Sequence, residues 1–121
     1  MKYCSTRDKK LNFDFKEVFQ RSLAPDGGLF IPKQIKKFSS NELKKMKSLN
    51  YIDLATKVVS SFCSPSLSKR KLKNLIKKSY SKFKKKDVVS LIKLDKINLL
   101  ELYHGPTLAF KDIAMQCIGN I

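Results

Sequence analysis

The chain has 121 residues and a formal net charge of +16, with 26 lysine and arginine residues against 10 acidic ones. This length suffices for one domain with a modest core. No apolar run reaches the roughly 18 residues of a membrane-spanning helix, and no apolar segment of a secretion signal follows the first residues. We therefore expect a cytoplasmic protein that neither is secreted nor spans a membrane.

The cysteines predict neither a disulfide framework nor a metal site. Cys4, Cys63 and Cys117 are widely spaced and form no Cys-x-x-Cys motif, and His104 is the only histidine. Structural zinc sites and disulfide scaffolds need closer or more numerous cysteines. Cys63 lies on the apolar side of a predicted helix and should act there as a small hydrophobic residue.

The first 32 residues predict two short strands around a helix and a turn. Residues 2–6 have the pattern of an edge strand, and residues 15–23 predict a helix with Asp14 as its N-cap. Pro25-Asp-Gly-Gly28 predicts a turn with positive φ at its glycines, rather than a phosphate-binding loop. Residues 29–31 predict a second strand that ends at Pro32 and pairs with the first.

Three helices are predicted next. Ser39 and Glu42 have the spacing of a capping box and start a helix that runs to about residue 49. Apolar residues at helical spacing predict another helix over residues 51–63, which Ser64-Pro65 ends. A third helix, capped by Ser66 or Ser68, extends to about residue 83.

This third helix is strongly basic but has one apolar stripe. Residues 69–86 contain ten basic side chains and no acidic one. The apolar residues recur at helical spacing, as expected of a helix that packs one side on a core: Leu72, Leu75, Ile76, Tyr80 and Phe83. We interpret the lysines as the solvated side of this helix. A nucleic-acid-binding module is the alternative, with weak non-specific binding at low salt expected in either case.

The last 35 residues, from Asp87 onward, have a different pattern. Residues 88–94 and 97–103 predict a hairpin joined by Asp95-Lys96. From Asp112 to the end the chain predicts a helix. Lys111 precedes it, after a strand that breaks at Gly105-Pro106. A strand, a tight turn and a helix start can hold an amine in a dry, positively polarised pocket, so Lys111 is a candidate Schiff-base lysine.

The string His104-Gly-Pro-Thr-Leu-Ala-Phe-Lys-Asp112 closely resembles the segment that carries the cofactor lysine in threonine synthases. These are pyridoxal-phosphate (PLP) enzymes of the tryptophan-synthase-β-like fold. Tyr3-Cys-Ser-Thr-Arg7 and Leu23-Ala-Pro-Asp-Gly-Gly-Leu-Phe-Ile-Pro32 are similar to the start of the bacterial and fungal type. The resemblance implies an α+β fold: a small α-rich N-terminal domain with a short strand pair over residues 1–86, then the truncated start of an α/β PLP-binding domain over residues 87–121.

The resemblance also implies an activity. By position, Lys111 matches the catalytic lysine that forms the Schiff base with PLP, and Thr107 or nearby backbone amides would hydrogen-bond the cofactor or substrate. The complete enzyme would be a lyase that converts O-phosphohomoserine and water to threonine and phosphate, and it would be monomeric. Since a phosphate loop and most of the pocket are missing, we expect the 121 residues alone to be inactive.

Alternatives remain open for the site and for the function. The Gly105-Pro106 bend, with Thr107 satisfying a turn and His104 at its edge, also has a purely structural interpretation. Asp112 is expected to favour the helix start, rather than to pair with Lys111, and Glu101 to be solvated. The functional alternatives are a threonine-synthase-like phospho-lyase acting on another phosphorylated amino acid, a basic binding module, and a fragment that complements a separately encoded remainder.

Overall fold

The computed structural model describes residues 1–121 and contains five helices and two separate pairs of strands. Along the chain they are β1 (Tyr3–Ser5), α1 (Phe15–Gln20), β2 (Phe30–Pro32), α2 (Ser40–Met46), α3 (Tyr51–Cys63), α4 (Lys69–Ser79), β3 (Ser90–Leu94), β4 (Ile97–Glu101) and α5 (Asp112–Ile118). Both strand pairs are antiparallel. The predicted α+β class is confirmed.

The chain forms two compact units, one of residues 1–48 with 56–69 and the other of residues 49–55 with 70–121. The predicted domains, residues 1–86 and 87–121, divide the chain at a different place and stay a prediction about the complete enzyme. None of the five helices is long and apolar enough to cross a membrane. The three cysteines are all buried, and none forms a disulfide.

Strand β1 is buried along its whole length in the first unit. It pairs with β2 as predicted, with Cys4 opposite Ile31. On its other side, Tyr3 and Phe13 exchange two backbone hydrogen bonds of 2.9 and 3.0 Å in an isolated bridge. The sheet has two strands, so β1 is an edge strand as predicted. The Tyr3 hydroxyl donates to the carbonyl oxygen of Phe62 at 2.8 Å, which ties β1 to the end of α3.

The predicted helix caps of this unit are present. Asp14 caps α1 and Ser39 caps α2, each in a reciprocal capping box with the glutamate three residues later. Both helices end three residues earlier than predicted, α1 at Gln20 and α2 at Met46. Arg21 adopts extended backbone angles (φ −113°, ψ 141°), which ends α1 before the Pro25 turn.

The turn at residues 25–28 is closed by the Asp26 side chain. Its Oδ1 accepts hydrogen bonds from the Ser5 hydroxyl at 2.7 Å and the Gly28 amide at 2.9 Å, and Gly27 has φ +74°. The Gly27 amide donates to the carbonyl oxygen of Ala24. Both glycine amides are therefore used inside the turn, as a turn-forming rather than a phosphate-binding pair would use them.

Helix α4 in the second unit packs through its apolar stripe. Leu72 and Ile76 are completely buried and Phe83 is 9 % exposed, which agrees with the predicted stripe. All ten basic residues between positions 69 and 86 are exposed. The helix ends at Ser79 rather than at residue 83. The Ser79 and Ser81 hydroxyls donate to carbonyl oxygens four and three residues earlier, which competes with helix continuation.

Strands β3 and β4 form the predicted hairpin, with Asp95 at φ 45° in the connecting turn. The hairpin is shorter than predicted at both ends. Val88 is buried and adopts φ 61°, a left-handed conformation that a strand cannot contain, so β3 begins only at Ser90. Strand β4 ends at Glu101 and leaves residues 102–111 for the loop that leads into α5.

Candidate active site

The loop between β4 and α5 is held closed by the Asp112 carboxylate. Asp112 is 3 % exposed. Its Oδ2 accepts a hydrogen bond from the Thr107 amide and its Oδ1 one from the Thr107 hydroxyl, both at 2.8 Å. Burial raises the pKa of Asp112, but hydrogen bonds, the largest of them from the Thr107 hydroxyl and amide, together outweigh it and leave the pKa below its usual range. Asp112 therefore closes the loop as an anion.

Gly105 permits this arrangement by leaving room for the carboxylate. A methyl group added to Gly105 would lie 2.7 Å from Asp112 Cγ and closer still to Asp112 Cβ and Oδ2. Every residue other than glycine has a Cβ atom at this same place, so each would meet the same clash. The Gly-Pro bend predicted from the sequence is thus also a packing site, where a backbone without a Cβ contacts a buried carboxylate.

Lys111 immediately precedes α5 and is exposed. Its carbonyl oxygen accepts hydrogen bonds from the amides of Ala114 and Met115, which fixes its backbone at the helix start. Leu108, three residues earlier, has φ 62°, a left-handed conformation that costs about 1 kcal/mol for a residue other than glycine. The side chain of Lys111 is exposed to solvent, so these 121 residues do not enclose its amine.

A tyrosine from the segment after α4 binds the first turn of helix α5. The Tyr80 hydroxyl donates to the carbonyl oxygen of Ile113 at 2.9 Å. The ring of Tyr80 packs edge-on against that of Tyr51, with centroids 5.3 Å apart. Burial raises the pKa of Tyr80, with a further contribution from Tyr51, so its hydroxyl keeps its proton and remains a donor. This contact holds the first turn of α5, which Lys111 immediately precedes.

A buried acid lies at the end of β4. Glu101 is 8 % exposed, and its carboxylate accepts hydrogen bonds from the Tyr103 hydroxyl at 2.7 Å, from His104 Nε2 at 2.7 Å and from Lys85 Nζ at 3.2 Å. The Tyr103 bond first, and then those of His104 and Lys85, lower the pKa of Glu101 to about 2. The prediction that Glu101 is solvated was wrong, because three donors compensate its burial.

Of the predicted site residues, the loop brings Thr107 and Asp112 into direct contact, while Lys111 lies beside them without pairing to Asp112. Asp112 was expected to favour the helix start, and in the structure both of its carboxylate oxygens accept hydrogen bonds from Thr107 of the loop. The Thr107 hydroxyl donates its hydrogen to Asp112, so any bond it makes to a ligand would use an oxygen lone pair. Sequence reasoning missed the role of Glu101. The only local signal was the Glu-x-Tyr-His spacing, since Lys85 lies 16 residues away.

Comparison with known proteins identifies the family. Residues 2–80 match the family described as threonine synthase N terminus. Threonine synthase-like 2 of Xenopus laevis is 40 % identical over 123 residues, which cover 100 % of this chain and 26 % of the relative. Threonine synthase of Schizosaccharomyces pombe is 41 % identical over 121 residues, covering 98 % of this chain and 24 % of that enzyme.

Solved structures agree with these sequence matches. A PLP-bound threonine synthase from Brucella melitensis superimposes with a TM-score of 0.94 at 32 % identity, and covers 99 % of this chain and 26 % of that one. Threonine synthase from yeast gives 0.92 at 40 % identity, with 98 % and 25 % covered. The chain spans about a quarter of the length of these relatives. It belongs to the threonine synthase family and corresponds to the N-terminal region of those enzymes.

Proposed function

We propose that the chain is the N-terminal part of a PLP-dependent threonine synthase, which converts O-phosphohomoserine and water to threonine and phosphate. We further propose that Lys111 is the residue to which PLP is attached. The observation that carries this proposal is the loop of residues 104–112. Its bend is closed by Asp112 and Thr107, and it presents the exposed Lys111 at the start of α5. A relative with 32 % identity is a PLP-bound enzyme.

The residues present fit the attachment point of PLP and little more of its site. The Lys111 amine is exposed and close to no carboxylate that would hold it in an ion pair. Bound PLP supplies an electron sink for reaction at the substrate carbons. The chain contains only four glycines. The amides of Gly27 and Gly28 are used in a turn, and Gly105 packs on Asp112. The groups that bind the cofactor phosphate would therefore belong to the remaining three quarters of the enzyme.

The β3–β4 hairpin has exposed apolar side chains that the rest of a complete enzyme could cover. On one of its sides, Ile92 faces Leu99 and Leu94 faces Ile97, and all four side chains are 37–64 % exposed. A two-stranded sheet with exposed apolar side chains and free strand edges is marginally stable alone. Since the relatives continue for about three times the length of this chain, we propose that their remaining part covers this surface, either on the same chain or on a separate one.

We propose accordingly that the isolated 121 residues lack threonine synthase activity. For an enzyme whose remainder is on the same chain, the family resemblance supports a monomer, which we place in the cytoplasm. The three cysteines are buried and form no disulfide, which supports a reducing compartment. A second candidate function is that of a threonine-synthase-like phospho-lyase acting on another phosphorylated amino acid. The 40 % identity to the Xenopus laevis relative of that name supports it. The segments that select the substrate lie outside this chain in either case.

A chimera with the fission yeast enzyme tests the proposed function. Residues 1–121 would replace the matching stretch of that threonine synthase, which is 41 % identical, and phosphate release from O-phosphohomoserine would be measured. We expect activity from the chimera and none from its Lys111→Ala variant. Lys96→Ala, which removes another exposed lysine from the hairpin turn, should keep the activity. An active Lys111→Ala chimera would exclude Lys111 as the cofactor lysine.

A further inference from the structure

Glu101 connects the segment after α4 with the loop that leads to Lys111. Lys85 Nζ donates to Glu101 Oε2 at 3.2 Å and to the Ser90 hydroxyl at 2.9 Å. A backbone hydrogen bond joins the same two segments, since the Lys84 amide donates to the carbonyl oxygen of His104 at 2.9 Å. The start of the loop is thereby fixed by one ion pair and one backbone hydrogen bond.

The same carboxylate determines the state of the histidine ring. An ionised carboxylate only accepts hydrogen bonds, so the nitrogen that contacts it at 2.7 Å, His104 Nε2, must carry a hydrogen. In the neutral ring the lone pair is then on Nδ1. His104 Nδ1 makes no hydrogen bond within the chain, and the ring packs against Tyr103 with centroids 4.6 Å apart. His104 is 8 % exposed, and its ring is held by its contacts with Glu101 and Tyr103.

We propose that Glu101 is a positioning residue of the proposed active site. It holds His104 as the Nε2–H tautomer with Nδ1 free to accept a hydrogen bond from a ligand N–H or O–H group, and with Lys85 it fixes the loop that precedes Lys111. This inference rests on the proposed function for its relevance to catalysis. The contacts on which the inference rests are all made by residues of this chain.

Nitrogen NMR of the ¹⁵N-labelled 121-residue chain tests the proposal directly. His104 is the only histidine, so its two ring nitrogens give one assignable pair of signals. In the native chain, at a pH where the ring is neutral, we expect a protonated Nε2 and an unprotonated Nδ1. Finding the hydrogen on Nδ1 would overturn the proposal without any substitution. In Glu101→Gln we expect a mixture of tautomers, because the amide of glutamine both donates and accepts.

Amide hydrogen exchange in the same samples tests the effect on the loop. The Lys84 amide, which is bonded to His104, should exchange at least about tenfold faster in Glu101→Gln. Glu42→Gln is the matched control, because Glu42 is also a hydrogen-bonded acid but caps α2 in the other unit. It should leave the His104 signals and the Lys84 amide unchanged.

An unchanged tautomer and unchanged Lys84 exchange in Glu101→Gln would overturn the proposal. Where that variant fails to fold, the tautomer of the native chain still decides. Neither measurement needs PLP or substrate, so the result does not depend on activity. An inactive chimera with the expected tautomer would contradict the proposed function, whereas an active chimera with the opposite tautomer would contradict the role of Glu101.

Discussion

Gly105 is the position where a single methyl group should disturb the candidate active site most specifically. In Gly105→Ala the new methyl would lie 2.7 Å from Asp112 Cγ, and ordinary van der Waals contact begins at 3.4 Å. The two groups must therefore separate by about 0.7 Å or more. Asp112 is the first residue of α5, so it cannot withdraw without moving the helix start or breaking its bonds to Thr107. Overpacking of this kind costs about 1–3 kcal/mol.

Two measurements follow the consequences of this substitution. Urea denaturation should show a free energy of unfolding lower by about 1–3 kcal/mol, and the Thr107 amide should exchange faster with solvent. Gly119→Ala is the control, because its methyl would contact only the Met115 carbonyl oxygen, at 3.3 Å, and its backbone is helical. We expect it to be as stable as the native chain or slightly more so. A Gly105→Ala chain with native stability and a protected Thr107 amide would refute the packing argument.

Three further predictions concern the core, the charge and the pH dependence. Leu72→Ala should lower the free energy of unfolding by about 2–5 kcal/mol, because Leu72 is completely buried, whereas exposed Lys78→Ala should change it by less than about 0.5 kcal/mol in the same urea titration. Binding to single-stranded DNA, followed by fluorescence anisotropy, should disappear by about 200 mM salt, and sequence-selective binding above that salt would instead favour a nucleic-acid-binding module. The lowered pKa of Glu101 means that its contribution to stability is present above the unfolded-state value of about 4.3 and is lost as the pH falls towards 2. Stability should therefore fall more steeply over this range in the native chain than in Glu101→Gln, and parallel pH curves would contradict the assigned contacts.

The parts of the fold that depend on nearby residues could be predicted from the sequence. The capping boxes at Asp14 and Ser39 involve partners three residues away, and the apolar stripe of α4 is a pattern within a single helix. The residues at which helices and strands end were harder to predict from the sequence. Strand β3 starts late because Val88 has a left-handed backbone, and nothing in a valine predicts that conformation.

In the candidate site, too, some features could be predicted from the sequence and others could not. The motif around Lys111 and the bend at Gly105 could be recognised from their order in the chain. The state of Glu101 could not, because its burial depends on Lys85, 16 residues earlier, and on a loop conformation that brings Tyr103 and His104 to one carboxylate. Likewise, the sequence placed Asp112 at a helix start without indicating that Thr107 would donate to it twice.

Mapping the covalent PLP adduct would show whether Lys111 is the residue that carries the cofactor. The chimera with the fission yeast enzyme would be incubated with PLP and reduced with borohydride, and the modified lysine would be identified by peptide mass spectrometry. We expect one stoichiometric adduct at Lys111 and its loss in Lys111→Arg. A stoichiometric adduct at another lysine, or labelling spread over the exposed lysines with none favoured, would contradict it.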